Sequence, residues 1–382
     1  MINTKKKYKI KDMFKDHWHL FLGYIYARNK TLRHAILHEV ERILSCQSGS
    51  GYSVYGCVHC HILTYVPFTC KSRFCNCCGA LYSSNRAKSI KSKLYKCNHR
   101  HVIFTIPEEL RIYFLNDRKL LNTLFTASSE TLLSWFAEQQ KSKHFSPGIV
   151  CALHTFGRDL KWNPHIHMLV SEGAFSRNSE WRTFSHIPFE MLRKRWQFIL
   201  LQHLSEKINT SDFRVLKNKL YKKYPKGFYV NAVKKPIMSK GVVNYIVRYI
   251  GRPVMAQSRI LDYNQTHVTF WYQPHGSTEK VFETVTIFDF ISRLIRHIPE
   301  RHFKMLRYFG FYHSSSPLYH KINRSAQHKP SYWRQNIKRS FSYDPILCSN
   351  CDNIMELLYI KHPKKPEKSF DKNLIYYDSH DG

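Results

Sequence analysis

The sequence predicts an α+β fold in which helices pack on an antiparallel sheet, preceded by a helical stretch and a small metal-binding module. Three observations predict it. Apolar residues recur at helical spacing near the N-terminus, cysteines crowd a short aperiodic segment after it, and strand and helix patterns alternate from about residue 100.

Residues 1–45 read as helical, with Leu32, Ala35, Ile36, Val40, Ile43 and Leu44 near one face. Residues 46–80 are rich in Cys, Gly, Ser and Tyr and have no period. The run from His101 to Ile106 is a strand stopped by Pro107. Residues 108–140 are helical, with Leu120, Leu121, Leu124, Phe125, Leu132, Leu133 and Phe136 in the pattern. Ile149 to Thr155 and His165 to Ser171 form two strands joined by a turn through Gly157 and Asn163-Pro164. A helix over 188–208, a strand from Phe228 to Val233 and a short helix from Gly241 to Gly251 follow. A hairpin over 266–286 and a helix over 287–297 complete the pattern. The chain divides into a helical and metal-binding part at 1–98, a catalytic part at 99–310, and a C-terminal region at 311–382 with a basic tail.

The 382 residues hold 60 Lys and Arg against 27 acidic residues, a formal net charge of +33. Such a surplus is costly through self-repulsion unless a polyanion neutralises it. Nucleic acid is the expected partner, because its phosphates exchange counterions for cationic side chains. No apolar span of transmembrane length and no secretory signal are evident, so the expected location is intracellular, with no membrane partner. Eleven cysteines in a reducing compartment point to metal rather than disulfides.

Cys57-x-x-Cys60 precedes Cys75-x-x-Cys78 by fourteen residues. Two such knuckles can wrap four thiolates around one tetrahedral zinc, and this gap is one short of the usual range. Cys46, His59, His61, Cys70 and Cys77 are alternative ligands nearby. Cys348-x-x-Cys351 is a lone knuckle that lacks a second pair beside it.

His165-Ile166-His167 lies on a strand, where both imidazoles share one face, roughly 6–7 Å apart, and can converge on one divalent ion. His17-Trp18-His19 has the same spacing on a helix, where the two side chains diverge. A third ligand is expected, with His101 and His154 as candidates. Tyr245 and Tyr249 stand at i and i+4 on the short helix, as do Arg248 and Arg252. A phenol beside guanidinium groups suits attack on phosphate, since the arginines hold its charge and favour the phenolate. With 24 tyrosines in the chain, such a pair can equally be packing.

The order of these elements resembles the rolling-circle transposases of insertion-sequence family ninety-one, which belong to the HUH (His-hydrophobic-His) endonucleases. The resemblance spans about residues 15–355. It takes in the knuckles, the strand from His101 to Leu110, Leu153 to Gly157, Pro164 to His167, Tyr245 to Arg252, and Asp344 to Cys351. It implies an HUH-endonuclease-like sheet and zinc at Cys57, Cys60, Cys75 and Cys78. It also implies Mg²⁺ or Mn²⁺ on His165 and His167, and attack by Tyr245 or Tyr249 on single-stranded DNA at element ends through a 5′-phosphotyrosine link. Cys77 beside Cys78, and His61 where relatives tend to have Gly, depart from the family pattern. A replication initiator or relaxase, or a zinc-dependent DNA-binding protein without catalysis, are the alternatives. No Gly-x-x-x-x-Gly-Lys-Ser/Thr loop is present.

Overall fold

The computed structural model describes residues 8–46, 51–72, 74–75, 78–140, 143–184, 186–232, 254–274, 276–319, 334–335, 337–338, 343–362 and 365–369. The expected helix at 241–251 lies outside them. Two units emerge: Met1–Asn85 with Gly251–Ile298 and Lys329–Gly382, and Arg86–Ile250 with Pro299–His328. This grouping differs from the linear division at 98/99 and 310/311. Backbone pairing joins Tyr52–Gly56 to residues 356–361, and residues 148–152 to Leu306–Gly310.

In the first unit the helical stretch at 1–45 is two helices, α1 (Ile10–Tyr26) and α2 (His34–Leu44). Asn29, with φ 52°, lies in the turn that separates them. α1 buries Ile10, Met13, Phe14, His17, Trp18 and Phe21, an i, i+3, i+4 stripe. His17 is buried and His19 exposed, so this pair does diverge. The metal-binding module is a hairpin of β1 (Tyr52–Gly56) and β2 (Leu63–Pro67). The linking helix α3 spans Gly79–Lys91.

The second unit carries the large sheet. Its strands are β3 (His99–Thr105), β4 (Ser146–Phe156), β5 (Trp162–Phe175), the short β6 (Trp181–Thr183) and β7 (Val230–Ala232). β11 (Leu306–Gly310), which the sequence pattern did not reveal, forms an edge. The order is β11-β4-β5-β3-β7, with β6 on β5, and every pairing is antiparallel.

The helix expected at 108–140 breaks into α4 (Glu108–Asn116) and α5 (Leu121–Glu138). Asp117 causes the break. Its carboxylate accepts from the Lys119 N–H at 2.8 Å and starts a 3₁₀ turn. α6 (Phe189–Ile208) ends at Asn209 in the left-handed conformation, and α7 (Ser211–Lys223) starts under a Thr210 cap.

These helices cover one face of the sheet only. Val102 and Phe104 of β3, Cys151 and Leu153 of β4, and Ile166 and Met168 of β5 join Phe114, Phe125, Phe136, Trp196 and Phe213 in one core. The indole N–H of Trp196 donates to the Thr105 carbonyl at 2.9 Å and pins α6 to β3. The other face is apolar towards one end, where Val150, Ala152 and Leu169 meet Ile90, Phe311 and Tyr312.

The first unit adds β8 (Ile260–Tyr263), β9 (His267–Tyr272) and β10 (Val281–Thr286) as a three-stranded sheet, followed by α8 (Ile287–Ile295). The hairpin and helix expected at 266–297 are therefore present. β12 (Glu356–His362) and β13 (Lys365–Ser369) extend the first hairpin in the order β13-β12-β1-β2, with Tyr52 opposite Lys361. Among the described residues, no helix is long and apolar enough to cross a membrane.

Phe104 is fully buried between the sheet and Trp196. Phe104→Ala is expected to lower unfolding stability by about 3–5 kcal/mol, read as a shifted denaturant midpoint.

Candidate active site and thiol clusters

Strand alternation decides which histidines meet. On β5, Ile166 is fully buried in the helix-covered core, so His165 and His167 point to the opposite face. Antiparallel register sets His154 of β4 directly opposite His165. On β3, Ile103 lies opposite His167 and His101 opposite Leu169, which places His101 on the histidine face. A register irregularity follows His154 at the end of β4, a common device for aiming side chains at a site.

The ligand-capable nitrogens of His154, His165 and His167 all lie within 4.8 Å of one another. Of the two candidates for a third ligand, His154 joins the pair. His101 instead stands behind it, with its Nε2 2.9 Å from His167 Nδ1 and the rings stacked at 5.2 Å.

The hydrogen bonds orient these rings. His165 Nδ1 donates to the Asn163 carbonyl at 2.7 Å, which leaves its Nε2 lone pair free. His167 Nδ1 and His101 Nε2 share a hydrogen bond at 2.9 Å that holds the His167 ring in place. The two Nε2 atoms then face each other at 3.0 Å. A cation between them would take both lone pairs, and a second hydrogen-bond partner behind each ring is usual around metal-binding imidazoles. Sequence reading missed the Asn163 carbonyl, although it lies only two residues before His165.

Burial keeps His165 and His167 neutral. His167 is pushed well below the usual imidazole range by desolvation, then by His154, His165 and His101. Desolvation also lowers His165, with Arg111 adding to it. His101 falls to about 4, from desolvation and then His165. Neutral imidazole is the form that binds metal. Nitrogen donors fit Mn²⁺ better than Mg²⁺, which prefers oxygen.

Tyr245, Arg248, Tyr249 and Arg252 lie outside the described residues.

The cysteines form two quartets rather than the expected one. Cys57 and Cys60 do not meet Cys75 and Cys78. Cys46, Cys70, Cys75 and Cys78 form one cluster, and Cys57, Cys60, Cys348 and Cys351 the other. The hairpin is the cause. Cys57 and Cys60 sit in its turn, while Cys46 precedes β1 and Cys70 follows β2 at the open end. Five residues of strand separate the two ends by roughly 17 Å.

In the buried first quartet, Cys46 Sγ lies 3.2 Å from Cys78 and 3.7 Å from Cys75. Sulfurs around one zinc stand about 3.8 Å apart for bonds of about 2.3 Å. Hydrogen bonding with Cys70 lowers Cys46 to about 7, while Cys70 and Cys78 are pushed up by the thiols around them. Four thiolates cannot coexist there without a cation. Lys11 Nζ donates to the Cys46 carbonyl, and Arg42 donates to that of Cys70. Both cations offset the negative charge a four-thiolate zinc would carry.

A family model described as "Transposase zinc-binding domain" (Zn_Tnp_IS91) matches residues 13–106, and one described as "Putative transposase" (Y2_Tnp) matches 148–318. The chain belongs to the IS91 family of transposases. The second match contains His154, His165 and His167; the first contains the Cys46 quartet. This IS91-family transposase is 28% identical over 350 residues to the transposase for insertion sequence element IS801 of Pseudomonas savastanoi pv. phaseolicola, covering 84% of this chain and 82% of that one. It is 27% identical over 307 residues to the "Putative transposase y4qJ" of Sinorhizobium fredii (strain NBRC 101917 / NGR234), covering 75% and 76%. No solved structure matches it. The zinc-binding domain and the thiol clusters make zinc a structural component of the transposase.

Acid should loosen the histidine unit. His99 and His101, both buried, have their pKa lowered from 6.5 to about 4, chiefly by desolvation. Between those values the unfolded chain binds protons that the folded chain refuses, so stability falls as pH falls through this window. The expected loss is on the order of 3 kcal/mol per histidine. Thermal unfolding without added divalent ion checks it; a midpoint flat from pH 7 to pH 4.5 contradicts it.

Proposed function

We propose that this transposase nicks and transfers single-stranded DNA at element ends by rolling-circle chemistry, through a 5′-phosphotyrosine intermediate. The convergence of His154, His165 and His167 on the sheet face opposite the Phe104, Leu153 and Ile166 core carries this reading. The three imidazoles would hold Mn²⁺ or Mg²⁺, which when bound polarises the scissile phosphate and steadies the leaving 3′ oxygen.

The chain's own residues do the rest. The Asn163 carbonyl holds the tautomer of His165 and His101 holds the ring of His167, so the donors are oriented before DNA arrives. Tyr245 or Tyr249 supplies the nucleophile. Its phenolate oxygen bonds to phosphorus, the bond from phosphorus to the 3′ oxygen breaks, and that oxygen takes up a proton. Arg248 and Arg252 stabilise the charge on the phosphoryl oxygens. The second tyrosine accepts the strand in a later transfer, so the bond energy is conserved and no nucleotide triphosphate is consumed. The net charge of +33 supplies the phosphate contacts.

Matches to transposase models along both parts of the chain favour transposition over replication initiation or conjugative relaxation.

Labelled single-stranded element ends, incubated with the protein and Mn²⁺, should yield a covalent adduct on denaturing gels. Tyr245→Phe combined with Tyr249→Phe should abolish the adduct, a loss of at least 1,000-fold on the order expected for an essential nucleophile, while leaving DNA binding intact. An adduct that survives in the double variant sinks the tyrosine assignment.

A further inference from the structure

The quartet of Cys57, Cys60, Cys348 and Cys351 lies half outside the zinc-binding match, which ends at residue 106. Cys60 and Cys348 are 288 positions apart in the chain, yet their sulfurs stand 3.3 Å apart. Cys57 is 3.4 Å and Cys60 3.6 Å from Cys351. Each knuckle thus meets the other along its whole length.

The two knuckles have one backbone design. Gly56 pairs with Leu63 around the first, and Leu347 bridges Ile354 around the second. The Cys57 N–H donates to the Ile62 carbonyl at 3.0 Å, and the Cys348 N–H donates to the Asn353 carbonyl at 2.9 Å. The His61 N–H donates to the Cys57 carbonyl, as the Asp352 N–H does to that of Cys348. His61 and Asp352 both adopt φ 55°, four residues after the first cysteine of their knuckle. That left-handed position explains why Gly suits it, and why His61 is strained there.

The surroundings also fit a closed structural site. Met355 is buried against Cys57 and Cys348, with Tyr55 and Ile62 packed around them. The Asn353 side-chain amide reaches Cys351 Sγ at 3.4 Å, a donor aimed at a sulfur that would carry negative charge.

We propose that these four cysteines bind a second structural zinc, which clamps the C-terminal segment onto the N-terminal hairpin. Each thiol gives up its proton to solvent as its sulfur bonds to the ion, so binding needs no oxidant. The clamp sits at one end of the β1–β12 pairing, so metal and strand pairing lock the same two segments. Neither knuckle can complete the site alone. A chain ending before Cys348 would keep the Cys46 quartet and leave Cys57 and Cys60 as an open half-site. The clamp does not depend on the strand-transfer chemistry, so either can fail without the other.

Metal analysis of the purified full-length protein tests this. Two zinc per chain are expected, falling to one in Cys348→Ser/Cys351→Ser and to one in Cys57→Ser/Cys60→Ser. One zinc in the unaltered chain overturns the proposal. Two zinc retained in either variant, iron in place of zinc, or a Cys57–Cys351 or Cys60–Cys348 disulfide in the native protein does so as well. Should the variants not fold, cadmium-113 resonance of the unaltered cadmium-loaded chain decides: two all-thiolate signals support two sites, and a single signal rules the second out.

Discussion

Side-chain alternation across three paired strands is the constraint from which the candidate site follows. One face of β3, β4 and β5 is committed to the helices, through Phe104, Leu153 and Ile166. Every second residue must then turn away from that core. The register fixes the rest, because His154 faces His165 and His101 lies one strand over, beside His167. Slipping any of these strands by one residue would bury imidazoles in the aliphatic core and expose the apolar set. Fold stability and the geometry of the ion site therefore depend on the same pairing.

Around the histidines, burial and hydrogen bonding act together. Desolvation holds His165 and His167 neutral, the form that binds metal. The Asn163 carbonyl then keeps the His165 proton on Nδ1, and His101 holds the His167 ring. The apolar half of the same face, where Phe311 and Tyr312 pack on Val150 and Leu169, fills the space beyond the cluster and closes that end. The histidines are thereby confined to one end of one face.

Much of this was legible in the sequence, and the failures have physical causes. That His165 and His167 share one strand face was legible because a strand period of two forces it locally. Whether His101 or His154 joined the pair depended on register between strands, which no local pattern encodes. The helix at 108–140 was legible as helix, but the break at Asp117 turns on one side-chain cap. β11 was missed because an edge strand of five residues, only partly buried, carries little alternation. The thiol ligands were all visible as cysteines, yet their grouping was not. Spacing suggested that the knuckles at 57 and 75 share an ion, whereas the length of the hairpin between them keeps them apart. Cys348 and Cys351 looked partnerless because their partners lie almost 300 residues away.

Manganese provides the most direct test of the imidazole cluster, because its unpaired electrons report which atoms bind it. Electron spin-echo envelope modulation of the Mn²⁺-loaded protein should show nitrogen-14 couplings from imidazole that disappear in His167→Ala, with the zinc content unchanged. A manganese spectrum free of imidazole nitrogen in the unaltered protein would contradict the account, since the three rings would then not be holding the ion.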